Sequence, residues 1–338
     1  MTMYRSFFAI NVRAPGQNRG KEACVRKGGK PMERTSALGR ELKKLKRNYD
    51  LFLLFLPVVA FYVIFKYIPM YGVLLAFKDY KMKLGILSSP WAGFKYFRQL
   101  FSTPSFFEVL RNTVSISLQR IIFGFPAPII LALLLNEITA KRFKKTVQTV
   151  SYLPHFLSWV VLGGVFTRFL SPADGAMNTL IKALGGTPVY FLGSPSTYVP
   201  TIIITGIWQS IGWGSIVYLA AIDGISPDLY ESAMLDGATR LQKMWNITLP
   251  SILPTIVVLL ILRMGSVLNG GFDQIFNTYN DAVLSVADIL DTYVYRRGLE
   301  GMQYSFSAAA ELFKTGVGFF FVYSTNLIAR KLGESSLW

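Results

Sequence analysis

The chain has 338 residues, of which 52% are hydrophobic and only 16% charged, with a formal net charge of +16. Soluble domains carry about 25% charged residues, so this deficit, together with long uninterrupted apolar runs, excludes an ordinary water-soluble domain and indicates the membrane class. The single cysteine, Cys24, excludes an intrachain disulfide, and the single histidine, His155, excludes a His-rich metal site.

Residues 1–50 hold 13 Lys+Arg against 4 Asp+Glu. They lack the apolar core and small-residue cleavage site of a signal peptide. They read as a basic, partly disordered cytoplasmic arm held near anionic lipid, with Met32 as an alternative start.

A bilayer span takes about 20 apolar residues. Six such runs follow, at 51–75, 112–135, 147–170, 199–221, 252–270 and 307–329. The expected fold is therefore all-α and integral to the membrane, with six transmembrane helices in one domain over 51–333 and a tail at 334–338. The basic arm and the short basic connection 141–145 place both termini on the cytoplasmic side. One segment, 76–111, is also net basic and argues the other way, but the arm and the short loop weigh more.

The segments 76–111, 171–198 and 271–306 then lie outside. The first contains an amphipathic stretch at 94–98 suited to the membrane interface. The last mixes Asp281, Asp288, Asp291 and Glu300 with Arg296 and Arg297, and reads either as a solvated loop or as a dock for a soluble partner. His155, beside Pro154 at the start of the third run, reads as structural or interfacial.

Polar groups inside spans are costly in hydrocarbon and face a cavity or a neighbouring helix. The fourth run carries Trp208, Gln209, Ser210 and Trp213, and the fifth carries Arg263, Ser266 and Asn269. Flat aromatic faces with amide donors and acceptors suit the C–H and O–H surfaces of a sugar, and they equally serve as contacts between helices. Arg263 lies about 17 Å beyond Ile252 at the helical rise, near the bilayer centre. An arginine there costs on the order of 2.5–3.5 kcal/mol, and the nearest acidic residue in sequence is Asp273. Its expected counterpart is a group on a partner helix or an anionic cargo.

Between the fourth and fifth runs lies a polar island, 222–254. A helix from Pro227 would reach Asp236, Gly237 would turn the chain, and a second helical stretch would follow. Pro250 and Pro254 would open the next span. The result is a compact knob on a membrane face, or else an ordinary connecting loop.

Glu231, Ala233, Asp236, Gly237, Ala238, Ile247, Leu249 and Pro250 resemble the EAA loop of permease subunits in binding-protein-dependent ABC importers. Ser232 departs from an alanine of that pattern, and Trp245 stands where the family often has Phe. The stretches 65–72 (Phe-Lys-Tyr-Ile-Pro-Met-Tyr-Gly), 208–214 (Trp-Gln-Ser-Ile-Gly-Trp-Gly) and 291–295 (Asp-Thr-Tyr-Val-Tyr) look like the multiple-sugar, maltose-type subgroup, and the likeness covers 51–333.

The resemblance implies a type I ABC importer permease fold with a cytoplasmic coupling helix, in the cytoplasmic membrane of a prokaryote. It implies a second related permease as heterodimer partner, an extracellular sugar-binding protein and an oligosaccharide cargo. Two ATP-binding cassette ATPase subunits would engage Glu231, Ala233, Asp236, Gly237 and Ala238. The cargo pathway would involve Trp208, Gln209, Trp213, Arg263, Ser266 and Asn269. There is no G-x-x-x-x-G-K-[ST] loop, so ATP would be bound by the partner ATPases and no cofactor is expected on this chain. Nor is there an H-E-x-x-H or nucleophile motif, so no catalytic or metal site is expected, and nothing points to nucleic acid. The alternatives are a same-family permease for another solute, an integral membrane enzyme of envelope sugar metabolism and a regulatory membrane scaffold.

Overall fold

The computed structural model describes residues 49–331. The basic arm up to residue 48, with Cys24 and Met32, and the 334–338 tail lie outside the described residues. The chain divides after Ile68 into two units. In the first, the α-helix Tyr49–Tyr62 continues into a π turn, Val63–Tyr67. Its apolar side chains, Leu54 and Phe65 among them, are exposed, as on a helix solvated by lipid.

Among the described residues there is no β-strand, and five helices are long and apolar enough to cross a bilayer: Leu53–Phe77, Pro104–Glu137, Pro195–Asp223, Arg240–Gly265 and Tyr304–Lys331. The third apolar run forms two helical pieces, Lys141–Phe156 and Trp159–Phe169, bent by 104°. Taken as one span, the pair makes the expected six. The basic stretch 141–145 is the first turn of the Lys141–Tyr152 helix rather than a connecting loop. The bend has a local cause. Pro154 sits in a 3-10 turn, Leu157 is extended, and the Ser158 hydroxyl caps the second piece by accepting from the Val161 N–H at 3.4 Å.

Three of the long helices share a device. The π turns Val63–Tyr67, Arg120–Gly124 and Met244–Thr248 each end two residues before a proline, namely Pro69, Pro126 and Pro250. A proline ring clashes with the carbonyl four residues back and donates no N–H, and widening the preceding turn relieves both problems. Pro254, expected to open the fifth span together with Pro250, lies inside the Leu249–Gly265 helix instead.

In the second unit, the second and fourth spans pack through Ala132, Leu135, Tyr218 and Ile222, with Ile252 of the fifth joining them. The fifth and sixth spans approach closely, since a Cβ on Gly318 would stand 2.8 Å from the Gly265 carbonyl. The segment between the first and second spans is stitched to the start of the sixth. The Tyr80 N–H donates to Ser305 Oγ at 3.0 Å, and that hydroxyl donates to the Lys78 carbonyl at 2.7 Å. The amphipathic stretch 94–98 enters the helix Lys95–Ser102, where the Tyr96 hydroxyl donates to Asp79 Oδ1 at 2.5 Å. Burial, then the bond to Asp79, pushes the Tyr96 phenol up to about 12. The same bond, aided by Lys95 and Lys81, holds the Asp79 carboxyl below its ordinary range.

The 271–306 segment is not a simple solvated loop. Gln274, Ile275, Val283, Ala287, Ile289, Leu290 and Tyr293 are buried, many of them in cores shared with the second and fourth spans. Three of its charges are paired: Arg296 with Asp288 at 2.5 Å, and Asp291 with Lys314 of the sixth span.

Candidate functional site

Two features stand out, a protruding knob and a polar cavity. The knob begins with the helix Pro227–Leu235, which ends at Asp236. Gly237 then takes φ 75°, the left-handed conformation that glycine adopts without strain. The Gly237 N–H donates to the Met234 carbonyl at 3.1 Å and the Ala238 N–H to the Ala233 carbonyl at 2.9 Å. This is the paired closure of a Schellman C-cap. Two residues on, Thr239 and Gln242 form a capping box that starts the helix Arg240–Lys243. That helix does not stop at the knob, because it runs on through the π turn into the fifth span as one piece, Arg240–Gly265. Tyr230 ties the two arms together through its hydroxyl, 2.9 Å from the buried Thr248 Oγ1.

Of the five knob residues expected from the sequence, Ala233, Asp236, Gly237 and Ala238 form the turn, and Glu231 stands in the middle of the helix that leads into it. Glu231 and Asp236 are exposed, and neither carboxylate has an ion-pair partner among the described residues. What sequence reasoning passed over is the apolar cover around them. Leu235 is 90% exposed, and Leu241 and Trp245 are also exposed. Exposed large apolar groups beside unpaired charges mark a contact surface for another protein.

The cavity lies among the second, fourth, fifth and sixth spans. One lobe of about 320 Å³ is lined by Ser210, Trp213, Leu259, Arg120 and Arg263. A larger lobe of about 840 Å³ is lined by Ser266, Asn269, Phe272, Tyr295 and the same two arginines. Small-ligand sites fall in this size range and combine apolar or aromatic walls with a few polar groups. Trp213 lies flat on His155, and Phe272 and Phe276 pack against Tyr295. Arg263 sits in the last turn of its helix, which ends at Gly265, earlier than the expected span end at 270.

Of the nominated pathway residues, the structure brings together Trp213, Arg263, Ser266 and Asn269. It places Trp208 and Gln209 elsewhere. Trp208 packs edge-on against Phe166 and lines a separate cleft with Pro154 and Val150. Gln209 donates to the His155 carbonyl at 3.4 Å. Both belong to the contact with the bent third run: Trp208 lies on another face from Trp213, whereas Gln209, one turn before Trp213 on the same face, is taken up by the His155 carbonyl.

The cavity also contains a residue that sequence reasoning left out, Arg120. It opens the π turn in the second span, and its guanidinium donates to Gln274 Oε1 at 2.5 Å. The signal was present, since a charge inside an apolar run raises the same question at position 120 as at 263.

The chain matches the family model described as binding-protein-dependent transport system inner membrane component over residues 124–328. It is 46% identical over 294 residues to Protein LplB of Bacillus subtilis (strain 168), covering 87% of this chain and 92% of that protein. It is 44% identical over 299 residues to the polygalacturonan/rhamnogalacturonan transport system permease protein YteP of the same organism, covering 88% and 93%. Among solved structures, it superposes with a TM-score of 0.80 and 42% identity on a chain of a bacterial ABC transporter involved in the import of the acidic polysaccharide alginate, covering 86% of this chain and 99% of that one. A second structure, the bacterial alginate ABC transporter in complex with its alginate pentasaccharide-bound periplasmic protein, gives 0.81 and 41%, covering 88% and 100%.

Proposed function

The chain belongs to the family of binding-protein-dependent transport system inner membrane components, and we infer that it is a membrane subunit of an ABC importer that carries oligosaccharides into the cell. It works with a second related permease, a pair of ATP-binding cassette subunits and an external sugar-binding protein. The observation that carries this reading is the knob at 227–243, an exposed turn with bare Leu235 and Leu241 that is continuous with a membrane helix. A push on such a turn is passed along the continuous Arg240–Gly265 helix, whose far end carries Arg263 and leads directly into Ser266 at the cavity.

ATP binding and hydrolysis belong to the partner subunits, and this chain performs no chemistry of its own. Both termini face the cytoplasm in this reading, which puts the knob on the ATPase side. The cavity's aromatic walls and side-chain hydroxyl and amide groups suit sugar rings. The similarity to a polygalacturonan/rhamnogalacturonan permease and to an importer of the acidic polysaccharide alginate favours an acidic oligosaccharide over a neutral one.

The test is reconstitution. The two permeases and the ATPase subunits are co-purified, placed in liposomes and given the binding protein with a labelled oligosaccharide. ATP-dependent uptake that requires every component is the expected result. Failure to recover an ATPase and a second permease with the tagged chain, or sugar turnover by the isolated chain, would overturn the reading.

A further inference from the structure

Arg120 is held by a small scaffold of its own. Gln274, which accepts from its guanidinium, is itself buried and fixed, donating to the Ile202 carbonyl at 2.8 Å and to Thr205 Oγ1 at 2.9 Å. Gly271, at φ 86°, leaves the guanidinium its slot, because a Cβ there would stand 2.6 Å from both terminal nitrogens. Arg120 Nε is buried and has no hydrogen-bond partner. A guanidinium has five N–H donors, and only the one bond to Gln274 is made.

Arg263 faces the same two lobes. Among the described residues, no carboxylate lies within ion-pair distance of either arginine. Of the acids lining the larger lobe, Asp291 and Glu311 are both engaged by Lys314, and Asp273 pairs with neither arginine. Two unneutralised cations lining one cavity of a membrane domain repel each other and call for an anion.

We propose that Arg120 and Arg263 together form a carboxylate-binding site in the transport cavity, which receives the uronate groups of an acidic oligosaccharide as it passes. The proposal rests on the oligosaccharide-importer reading above and names the chemistry of its cargo site. Gln274 and Gly271 are positioning residues, which aim Arg120 without touching the sugar. A planar guanidinium matches a carboxylate in two parallel bonds, and a sugar ring flanking the carboxylate meets Trp213 in one lobe or Tyr295 in the other.

The experiment uses the complete importer in nanodiscs without its binding protein, so that only the membrane site is read. The probes are galacturonate and mannuronate trimers and their methyl esters, which keep the length and lose the charge. Wild type is expected to bind an acid trimer about 10- to 100-fold more tightly than its ester, the range for hydrogen bonds to a charged group. Arg120→Gln and Arg263→Gln should each reduce that ratio about tenfold or more. Arg120→Lys, which keeps the charge and loses the fork, should reduce it less and covers the case in which Arg120→Gln fails to assemble. Gln274→Leu should reduce the ratio while leaving Arg263 in place.

An acid-to-ester ratio that is unchanged in an assembled Arg120 variant overturns the proposal, as does equal binding of both probes by wild type. Absence of ATP-dependent uptake of every probe by the wild-type importer supplied with its binding protein would instead sink the oligosaccharide reading beneath it.

Discussion

The imidazole of His155 lies flat against the indole of Trp213, with ring centroids 4.7 Å apart and planes 3° apart. The stack joins the break in the third run to the wall of the cavity, so a side chain that touches no cargo sets the orientation of one that does in our reading. Because His155 Nδ1 is buried without a partner, the ring is retained for its flat face. His155→Phe is therefore expected to keep uptake near wild type and to hold or raise the melting temperature, by removing an unpaired polar atom. His155→Ala should lose about 0.5–1.5 kcal/mol of stability and lower uptake. Uptake assays with melting curves in detergent decide it, and equal loss in both variants would show that the imidazole nitrogens matter.

Gly237→Val should abolish coupling while leaving membrane insertion intact. A Cβ at this position would meet nothing within 4 Å, so crowding is not the cause. The cost is the left-handed backbone, on the order of 1–3 kcal/mol for a residue that cannot adopt it readily. Gly237→Asn, which tolerates that conformation, should retain most transport. Normal sugar uptake and ATPase stimulation in Gly237→Val would refute the claim.

Glu231→Ala and Leu235→Asp separate charge from apolar contact on the knob. An exposed ion pair contributes about 0–1 kcal/mol, whereas burying a leucine against a partner contributes about 1.5–3 kcal/mol. Leu235→Asp is expected to lower ATPase recovery in a pull-down more than Glu231→Ala, and only the effect of Glu231→Ala should fade as salt is raised. If Glu231→Ala proves the more damaging at high salt, the contact is not mainly apolar.

The Tyr96–Asp79 bond predicts a stability profile with two edges. The Tyr96 phenol is raised in the folded protein, so its contribution is present below the ordinary value near 10 and is lost as pH climbs toward about 12. The Asp79 carboxyl is depressed, so its contribution is present above the ordinary value near 3.9 and is lost as pH falls through the lower folded value. The melting-temperature difference between wild type and Tyr96→Phe should thus be level from about pH 5 to 9 and shrink at both ends. A difference that stays constant down to pH 3 would contradict the assignment.

The knob was legible from sequence because its signals are local. Proline at a helix start and glycine at a cap each act within one turn, whereas the Thr239–Gln242 capping box, equally local, was passed over. The apolar runs were legible for a similar reason, since hydropathy needs no knowledge of neighbours. The cavity was less so. Trp208, Gln209 and Trp213 lie within six residues, yet only Trp213 reaches it, and which face of a helix meets a cavity is settled by the helices around it. Arg120 carried the same warning as Arg263 but stands near the start of its apolar run, where a charge passes for an end-marker. The bend at Ser158 hid because the hydropathy of 147–170 is continuous even though its backbone is not.

The π turn that begins at Arg120 holds one residue more than an α-helical turn would need. Each residue advances an α-helix by about 100°, so the surplus turns everything after it by roughly a quarter of a circle relative to what precedes it. Deleting a single residue within 121–124 would remove that surplus and bring back the Pro126 clash, and the Pro126–Glu137 face that packs on the fourth span would fall out of phase with Arg120. Length at this point is thus as constrained as identity. A one-residue gap here would be expected to do more harm than most substitutions of the same side chains.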